Sequence, residues 1–105
     1  MSFLERDKDG YVLSLTMNSP DTRNALTGDE QFEDFVAVCK EINDDKSIRA
    51  VVLTGAGSAF CAGGNVKDMR DRTGMFNGDP FDQAEAYRSG IQKIPRAINS
   101  LTVPI

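Results

Sequence analysis

The sequence predicts an α/β chain, and three observations carry that expectation. A hairpin signal fills residues 2–17, an amphipathic helical stripe follows from Thr27, and the apolar run Ala50-Val51-Val52-Leu53 comes after it. A strand pair, a helix, a strand and further helices in that order give an α/β or α+β architecture.

The dipeptide Asp9-Gly10 marks the hairpin turn, since Gly10 can take positive φ without a Cβ clash. After it Tyr11-Val12-Leu13-Ser14-Leu15-Thr16-Met17 alternates, with Tyr11, Leu13, Leu15 and Met17 on the more apolar face. Asn18-Ser19-Pro20-Asp21 ends the strand with turn formers. Thr27 is the expected N-cap of the next helix, with Glu30 completing a capping box. Asp29 and Glu30 suit the positive end of the helix dipole. Phe32, Phe35, Val36, Cys39 and Ile42 recur at helical spacing and predict one buried stripe, leaving Glu33, Asp34, Lys40 and Glu41 on the wet side. Asn43-Asp44-Asp45 closes the helix. The strand from Ile48 to Thr54 lacks polar alternation over Ala50 to Leu53 and is expected to be covered on both faces. A short helix is expected over 65–72, a mobile loop over 73–80, and a further helix over 81–101. The buried face of the last would be Ala84, Tyr87, Ile91, Ile94 and Ile98. Pro95 should kink or break it, because proline removes a backbone donor and clashes with the preceding turn.

Composition narrows the chemistry. A chain of 105 residues suffices for one small domain, and 40% apolar with 27% charged residues is globular usage. A net charge of −4 without a basic block argues against nucleic acid or an anionic membrane as the main partner. The absence of histidine removes histidine bases, Ser-His-Asp and Cys-His systems, and most zinc sites, so no metal is expected. Two cysteines are too few for a disulfide framework. Cys39 sits on the helical stripe and Cys61 in a loop with no histidine to activate it, so both read as packing residues. No apolar stretch is long enough for a signal peptide or a membrane span, and the cytoplasm is the expected location.

The most informative run is Phe60-Cys61-Ala62-Gly63-Gly64-Asn65-Val66-Lys67, shortly after the apolar strand. It reads as a strand entering a glycine turn, with a helix starting at or near Asn65. Such a turn aims unpaired backbone N–H groups at a point outside the sheet, where they can hold an oxyanion without any side chain. Two rivals fail on spacing. Gly55-Ala56-Gly57-Ser58-Ala59-Phe60 begins like a dinucleotide fingerprint, but Phe60 stands where the third glycine should be and no acidic residue follows at the right distance. A phosphate loop lacks its closing Gly-Lys-Ser/Thr. On spacing alone, glycines that only make tight turns account for the run as well as a site does.

Taken together, Arg23-Asn24-Ala25-Leu26, Ala50-Val51-Val52-Leu53-Thr54-Gly55 and Phe60 to Met69 resemble the enoyl-CoA hydratase/isomerase (crotonase) superfamily in order and spacing. The resemblance extends over essentially all of the chain, including the hairpin and the closing Thr102-Val103-Pro104-Ile105. It implies a crotonase-like (ββα-superhelix) core, of which residues 1–105 are the N-terminal part of a single domain, truncated before a second glycine turn. It also implies formation of a thioester enolate on a coenzyme A ester, stabilised by two backbone N–H groups, most simply in an enoyl-CoA hydratase or isomerase. By resemblance, the first donor is the N–H of Gly64, and Gly63 lets the acyl chain approach the backbone. The carbonyl of Ala62 accepts from the adenine amino group, Arg23 and Lys67 approach the CoA phosphates, and Ala25 lines the same groove. Arg23 is also readable as a solvated turn charge and Lys67 as a surface helix lysine. Asn65 stands where many relatives carry aspartate, and it reads as an N-cap on the cofactor-side turn rather than a catalyst. Met69, Met75 and Phe76 either pack the loop or line an acyl site.

The second donor and the catalytic carboxylates that the resemblance implies are absent from the 105 residues. Glu85 and the early acidic residues fall on wet faces and are poor substitutes. The expectation is therefore an enzyme acting on acyl- or enoyl-CoA as part of a longer protein, with no tightly bound cofactor and a homotrimeric or hexameric complete form. The isolated chain is expected to be inactive. A non-catalytic fragment that binds CoA esters or pairs with subunits is the alternative, and an unrelated NAD-binding domain is a third.

Overall fold

A computed structural model describes residues 3–64 and 66–105, apart from the side chain of Met75. Strands β1 (Leu4–Asp9) and β2 (Val12–Met17) form the hairpin, and α1 (Asp29–Asp44) leads to β3 (Ala50–Gly55). Three shorter helices follow: α2 (Val66–Asp71), α3 (Pro80–Ser89) and α4 (Lys93–Asn99). Single 3-10 turns occupy Pro20–Thr22 and Gly74–Phe76.

The sheet order is β1-β2-β3, antiparallel at the hairpin and parallel between β2 and β3. A parallel pair needs a long crossover, and α1 supplies it. The register sets Leu13 beside Val51, Leu15 beside Leu53 and Met17 beside Gly55. That face packs against Phe32, Phe35, Val38, Cys39 and Ile42 of α1 and against Ile94 of α4. At its rim, Arg6 pairs with Glu41 and Lys8 with Ser47 across to α1 and its following turn. At the hairpin end, Tyr11 is exposed but stacked under the Arg49 guanidinium, 4.2 Å from its ring centre.

The hairpin, its turn at Gly10 (φ 61°), the helix stop at Asp44 and the helix over Val66–Asp71 agree with the sequence. Six expectations change. Helix α1 starts one residue later than Thr27 would cap it: Gly28 is the N-cap, and the Gln31 side chain accepts from the N–H groups of Thr27 and Gly28 at 2.6 and 3.2 Å. Val38, not Val36, completes the buried stripe, because the helix presents positions 32, 35, 38/39 and 42 to the sheet. Strand β3 is covered on one face only. Val52 is 51% exposed, since α1 and α4 both lie on the side of Val51.

The stretch 73–80 is more ordered in form than a loop. It contains a 3-10 turn, and Phe76 is buried with its ring edge-on to Tyr87 at 5.6 Å. The last helical region is two helices broken at Gly90, not at Pro95. Pro95 lies in the first turn of α4, where backbone N–H groups have no intrahelical partner and a missing donor costs little. Ala84 is exposed, whereas Tyr87, Ile91 and Ile98 are half-buried. Asp79 caps α3, its carboxylate accepting from the Asp82 N–H at 2.9 Å.

Candidate functional site

Two segments meet beyond the C-terminal end of β3, and their meeting builds the site. One is the turn after β2, Arg23-Asn24-Ala25-Leu26. The other is the loop from Gly55 to Gly64. Arg23 and Asn24 both adopt left-handed backbone, with φ of 54° and 58°. Asparagine accepts that conformation more readily than most side chains. This reverses the chain sharply after Pro20–Thr22 and lays residues 23–26 alongside the glycine loop. The Ala62 N–H donates to the Arg23 carbonyl at 2.9 Å, and the Leu26 N–H donates to the Gly63 carbonyl at 2.7 Å.

Asn24 is fully buried, and its side chain ties the approach to the loop. Its Oδ1 accepts from the Ser19 N–H at 2.8 Å, while its Nδ2 lies 3.0, 3.0 and 3.2 Å from the carbonyl oxygens of Ala56, Ala59 and Phe60. The glycine at position 55 makes room for this knot. A Cβ there would stand 2.2 Å from the Phe60 oxygen, 2.5 Å from that of Ala59 and 2.7 Å from Asn24 Nδ2. Cys61 adds a further tie: its thiol donates to the Asn24 carbonyl at 3.2 Å and its sulfur accepts from the Gly63 N–H at 3.4 Å. The packing role expected of Cys61 is what its contacts provide, and it touches the core rim.

Gly63 turns the chain with φ 86°, a conformation suited to glycine. Gly64 follows, half-buried, and its N–H donates to no acceptor among the described residues. A Cβ on Gly64 would lie 3.3 Å from the terminal methyl of Met69 and 4.0 Å from Ile91, so the backbone rests on apolar side chains from α2 and the α3–α4 junction.

The structure brings Arg23, Ala25, Ala62, Gly63 and Gly64 together, through the two backbone hydrogen bonds that join their segments. Ala25 is half-buried, and the side chains of Arg23 and Lys67 are exposed with no ion-pair partner among the described residues. Lys67 stands in the first turn of α2. Asn65, and with it the proposed cap, lies outside the described residues, as does the Met75 side chain. Glu85 is exposed and paired with Arg88 on α3, away from this loop, which agrees with its reading as a solvated residue. The sequence assigned Asn24 no role of its own. The signal was a turn asparagine placed four residues after a proline, where a left-handed residue is favoured.

A cavity of about 500 Å³ lies between the start of α1, the turn at Gly74–Phe76 and the α3–α4 junction. Leu26, Phe32 and Phe76 supply apolar wall, and Asp29, Asp68 and Lys93 stand around it. Phe76 therefore both packs against Tyr87 and lines a cavity, while Gly64 is not part of that wall. No group of acidic, cysteine or histidine side chains suited to a metal ion occurs among the described residues. None of their helices is long and apolar enough to cross a membrane.

Known proteins are similar to this chain. The enoyl-CoA hydratase EchA19 of Mycobacterium tuberculosis is 34% identical over 94% of this chain and 35% of its own length. The 1,2-epoxyphenylacetyl-CoA isomerase of Escherichia coli is 36% identical over 89% of this chain and 32% of its own. Among solved structures, an enoyl-CoA hydratase from Bacillus anthracis superposes with a TM-score of 0.77 at 25% identity, over 97% of this chain and 37% of that one. The chain spans between 25% and 37% of the length of the curated relatives it matches. The fold is crotonase-like, as the sequence motifs implied. A family model described as enoyl-CoA hydratase/isomerase matches residues 7–104, so the chain belongs to the enoyl-CoA hydratase/isomerase family.

Proposed function

We propose that these residues form the N-terminal part of a single crotonase-like domain in an enzyme that processes acyl- or enoyl-CoA thioesters, with hydration or isomerisation of an enoyl-CoA the leading reaction. The observation that carries this reading is the N–H of Gly64, which has no acceptor among the described residues, at the end of a loop whose preceding polar groups are tied down. When a thioester is converted to its enolate, negative charge grows on the thioester oxygen. A backbone dipole already aimed at that oxygen stabilises the charge without reorganising, and one such donor lowers a barrier by about 2.7–4 kcal/mol. The two relatives named above are a hydratase and an isomerase of CoA esters by name, which supports the substrate class.

In this reading the Ala62 carbonyl accepts from the adenine amino group, Ala25 lines the same groove, and Arg23 and Lys67 meet the CoA phosphates as unpaired exposed cations. No cofactor is held tightly; the CoA thioester is the substrate. The second donor and the carboxylates that move protons come from chain beyond these residues, which makes the 105 residues alone inactive. The complete protein is a cytoplasmic homotrimer or hexamer serving fatty acid metabolism.

The test uses the full-length polypeptide and hydration of crotonyl-CoA, with isomerisation of a 3-enoyl-CoA assayed beside it. Gly64→Pro deletes the N–H, and kcat should fall by about 10²–10³. Gly64→Ala keeps the N–H and meets only the movable tip of Met69, so it should lose far less. A Gly64→Pro enzyme that stays folded and keeps the wild-type kcat would sink the oxyanion role. Arg23→Ala and Lys67→Ala should raise KM for the CoA ester and leave kcat unchanged, as removal of uniform binding does. An unaltered KM in both variants would remove them from the CoA site.

A further inference from the structure

We infer that Asn24 is a positioning residue for the oxyanion loop: its buried amide fixes the backbone of residues 56–60 and, through the pins that follow, the direction of the Gly64 N–H. The inference rests on the enzyme reading only for what that N–H does; the pinning itself is a property of the chain.

Asn24 is the only polar residue fully buried among the described residues. A primary amide has two N–H donors and one carbonyl oxygen. Here the oxygen faces the Ser19 N–H, and the NH2 group is shared among three carbonyls of one loop. Every partner of the NH2 group lies between residues 56 and 60. Other side chains do not fill the role. Alanine would leave three carbonyls and one N–H without this partner. Ionised aspartate would set an acceptor against three acceptors. Glycine would suit the left-handed backbone at φ 58° but has no amide.

The ties continue in order along the chain. After the carbonyls of Ala56, Ala59 and Phe60 come the Cys61 thiol on the Asn24 carbonyl, the Ala62 N–H on the Arg23 carbonyl, and the Gly63 carbonyl on the Leu26 N–H. Gly64 is the first residue past the last of these. Its N–H shares a peptide plane with the Gly63 carbonyl, whose tie to the Leu26 N–H joins it to the same turn that Asn24 anchors, so an error in that turn or in the loop is passed to it directly. A misplacement of about 1 Å can cost 10²-fold in rate, so the chain of ties before Gly64 should be visible in catalysis.

The experiment compares Asn24→Ala, Asn24→Asp and Val38→Ala in the full-length protein. Val38 lies in the core under α1, remote in sequence from the loop, and serves as the control for lost stability. Three things are read: kcat and KM with crotonyl-CoA, hydrogen exchange of amides 56–64, and the melting temperature. Asn24→Ala should lower kcat by about 10–100-fold with KM altered by less than about 3-fold. Its amides 56–64 should exchange faster, while Val38→Ala keeps the wild-type kcat below its melting transition. Asn24→Asp should regain activity relative to wild type as pH falls, because a protonated carboxyl again offers the carbonyls a donor. Wild-type kcat and wild-type exchange in Asn24→Ala would overturn the inference. So would an equal loss of kcat in Val38→Ala. Should Asn24→Ala not fold, the pH dependence of the Asn24→Asp to wild-type ratio decides, and a flat ratio overturns it. A wild-type protein without turnover on any CoA thioester would sink the enzyme reading alone; exchange at 56–64 would still decide for or against Asn24.

Discussion

At the scale of single residues, the glycine loop shows how one backbone position serves several neighbours. Gly55 takes ordinary strand geometry, and its need for glycine comes from space rather than from φ. The absent Cβ leaves room for two carbonyl oxygens and the Asn24 amide to converge. Gly63 is the reverse case, with open space around it but a left-handed φ. Gly55→Ala should therefore destabilise the fold even though alanine is the smallest change available. Overpacking costs typically 1–3 kcal/mol, and because the clashing atoms here are backbone oxygens the upper end, about 3 kcal/mol, is expected. Urea unfolding of the two proteins measures it; a midpoint unchanged within error would mean that the loop yields freely and that Gly55 is dispensable. The glycines were all visible in the sequence. Which of them answered to space and which to dihedral was not, because the atoms they avoid come from residues far away in the chain, 31 positions for Asn24 and Gly55 and 37 for Pro20 and Gly57.

Among the elements, helix α1 carries the core, and its contribution divides sharply between two neighbouring valines. Val38 is 0% exposed beneath the sheet, whereas Val36 is 37% exposed on the flank. Val38→Ala removes buried methyl groups worth about 0.8 kcal/mol each and leaves a cavity, so a loss of about 2 kcal/mol is expected. Val36→Ala should stay within about 0.5 kcal/mol, as surface changes do. Equal losses in thermal or urea unfolding would contradict the burial described for the helix. Helical periodicity located the stripe to within one residue, but 3.6-residue spacing leaves both valines near its edges. The tilt of α1 across the sheet decides between them. The same limit applies to α3 and α4. Pro95 and Gly90 were both present as breakers, and only the placement of Ile94 in the core puts the break at Gly90 and leaves Pro95 in a first turn.

For the molecule as a whole, the one-sided covering of the sheet determines what is buried, and with it the response to pH. The Cys39 thiol lies in the core between α1 and the sheet, and burial pushes its pKa up by disfavouring the thiolate. The folded state thus holds this proton more tightly than the unfolded chain does. Below the ordinary thiol value of about 8.5 both states are protonated and pH has no effect through this group. Above it the unfolded chain ionises first, so stability falls as pH rises toward the raised folded value. Cys39→Ala should flatten that alkaline decline, judged by the slope of melting temperature against pH from neutral to pH ~10 rather than by its absolute level. Parallel slopes for the two proteins would mean that Cys39 does not contribute to it. Cys39 was assignable to the core from its position in the stripe. The bare face of β3, with Val52 exposed, was not. An apolar run without alternation is compatible with a strand covered on one side or on two, and only the placement of α1 and α4 on the Val51 face distinguishes them.

The sequence by itself determined the order of hairpin, helix and strand, the hairpin turn at Gly10 and the family, because periodicity, turn chemistry and motif spacing are local properties of the chain. It also marked the loop from Phe60 to Gly64 as the place where backbone donors would be left free. Only the tertiary structure decided which residues hold that loop in place. Asn24 and Gly55 lie 31 positions apart, and they meet only because β2 and β3 pair in parallel and deliver both turns to the same end of the sheet. A buried amide has no periodicity to announce it; its significance comes from the three carbonyls that surround it, and those are assembled by the fold.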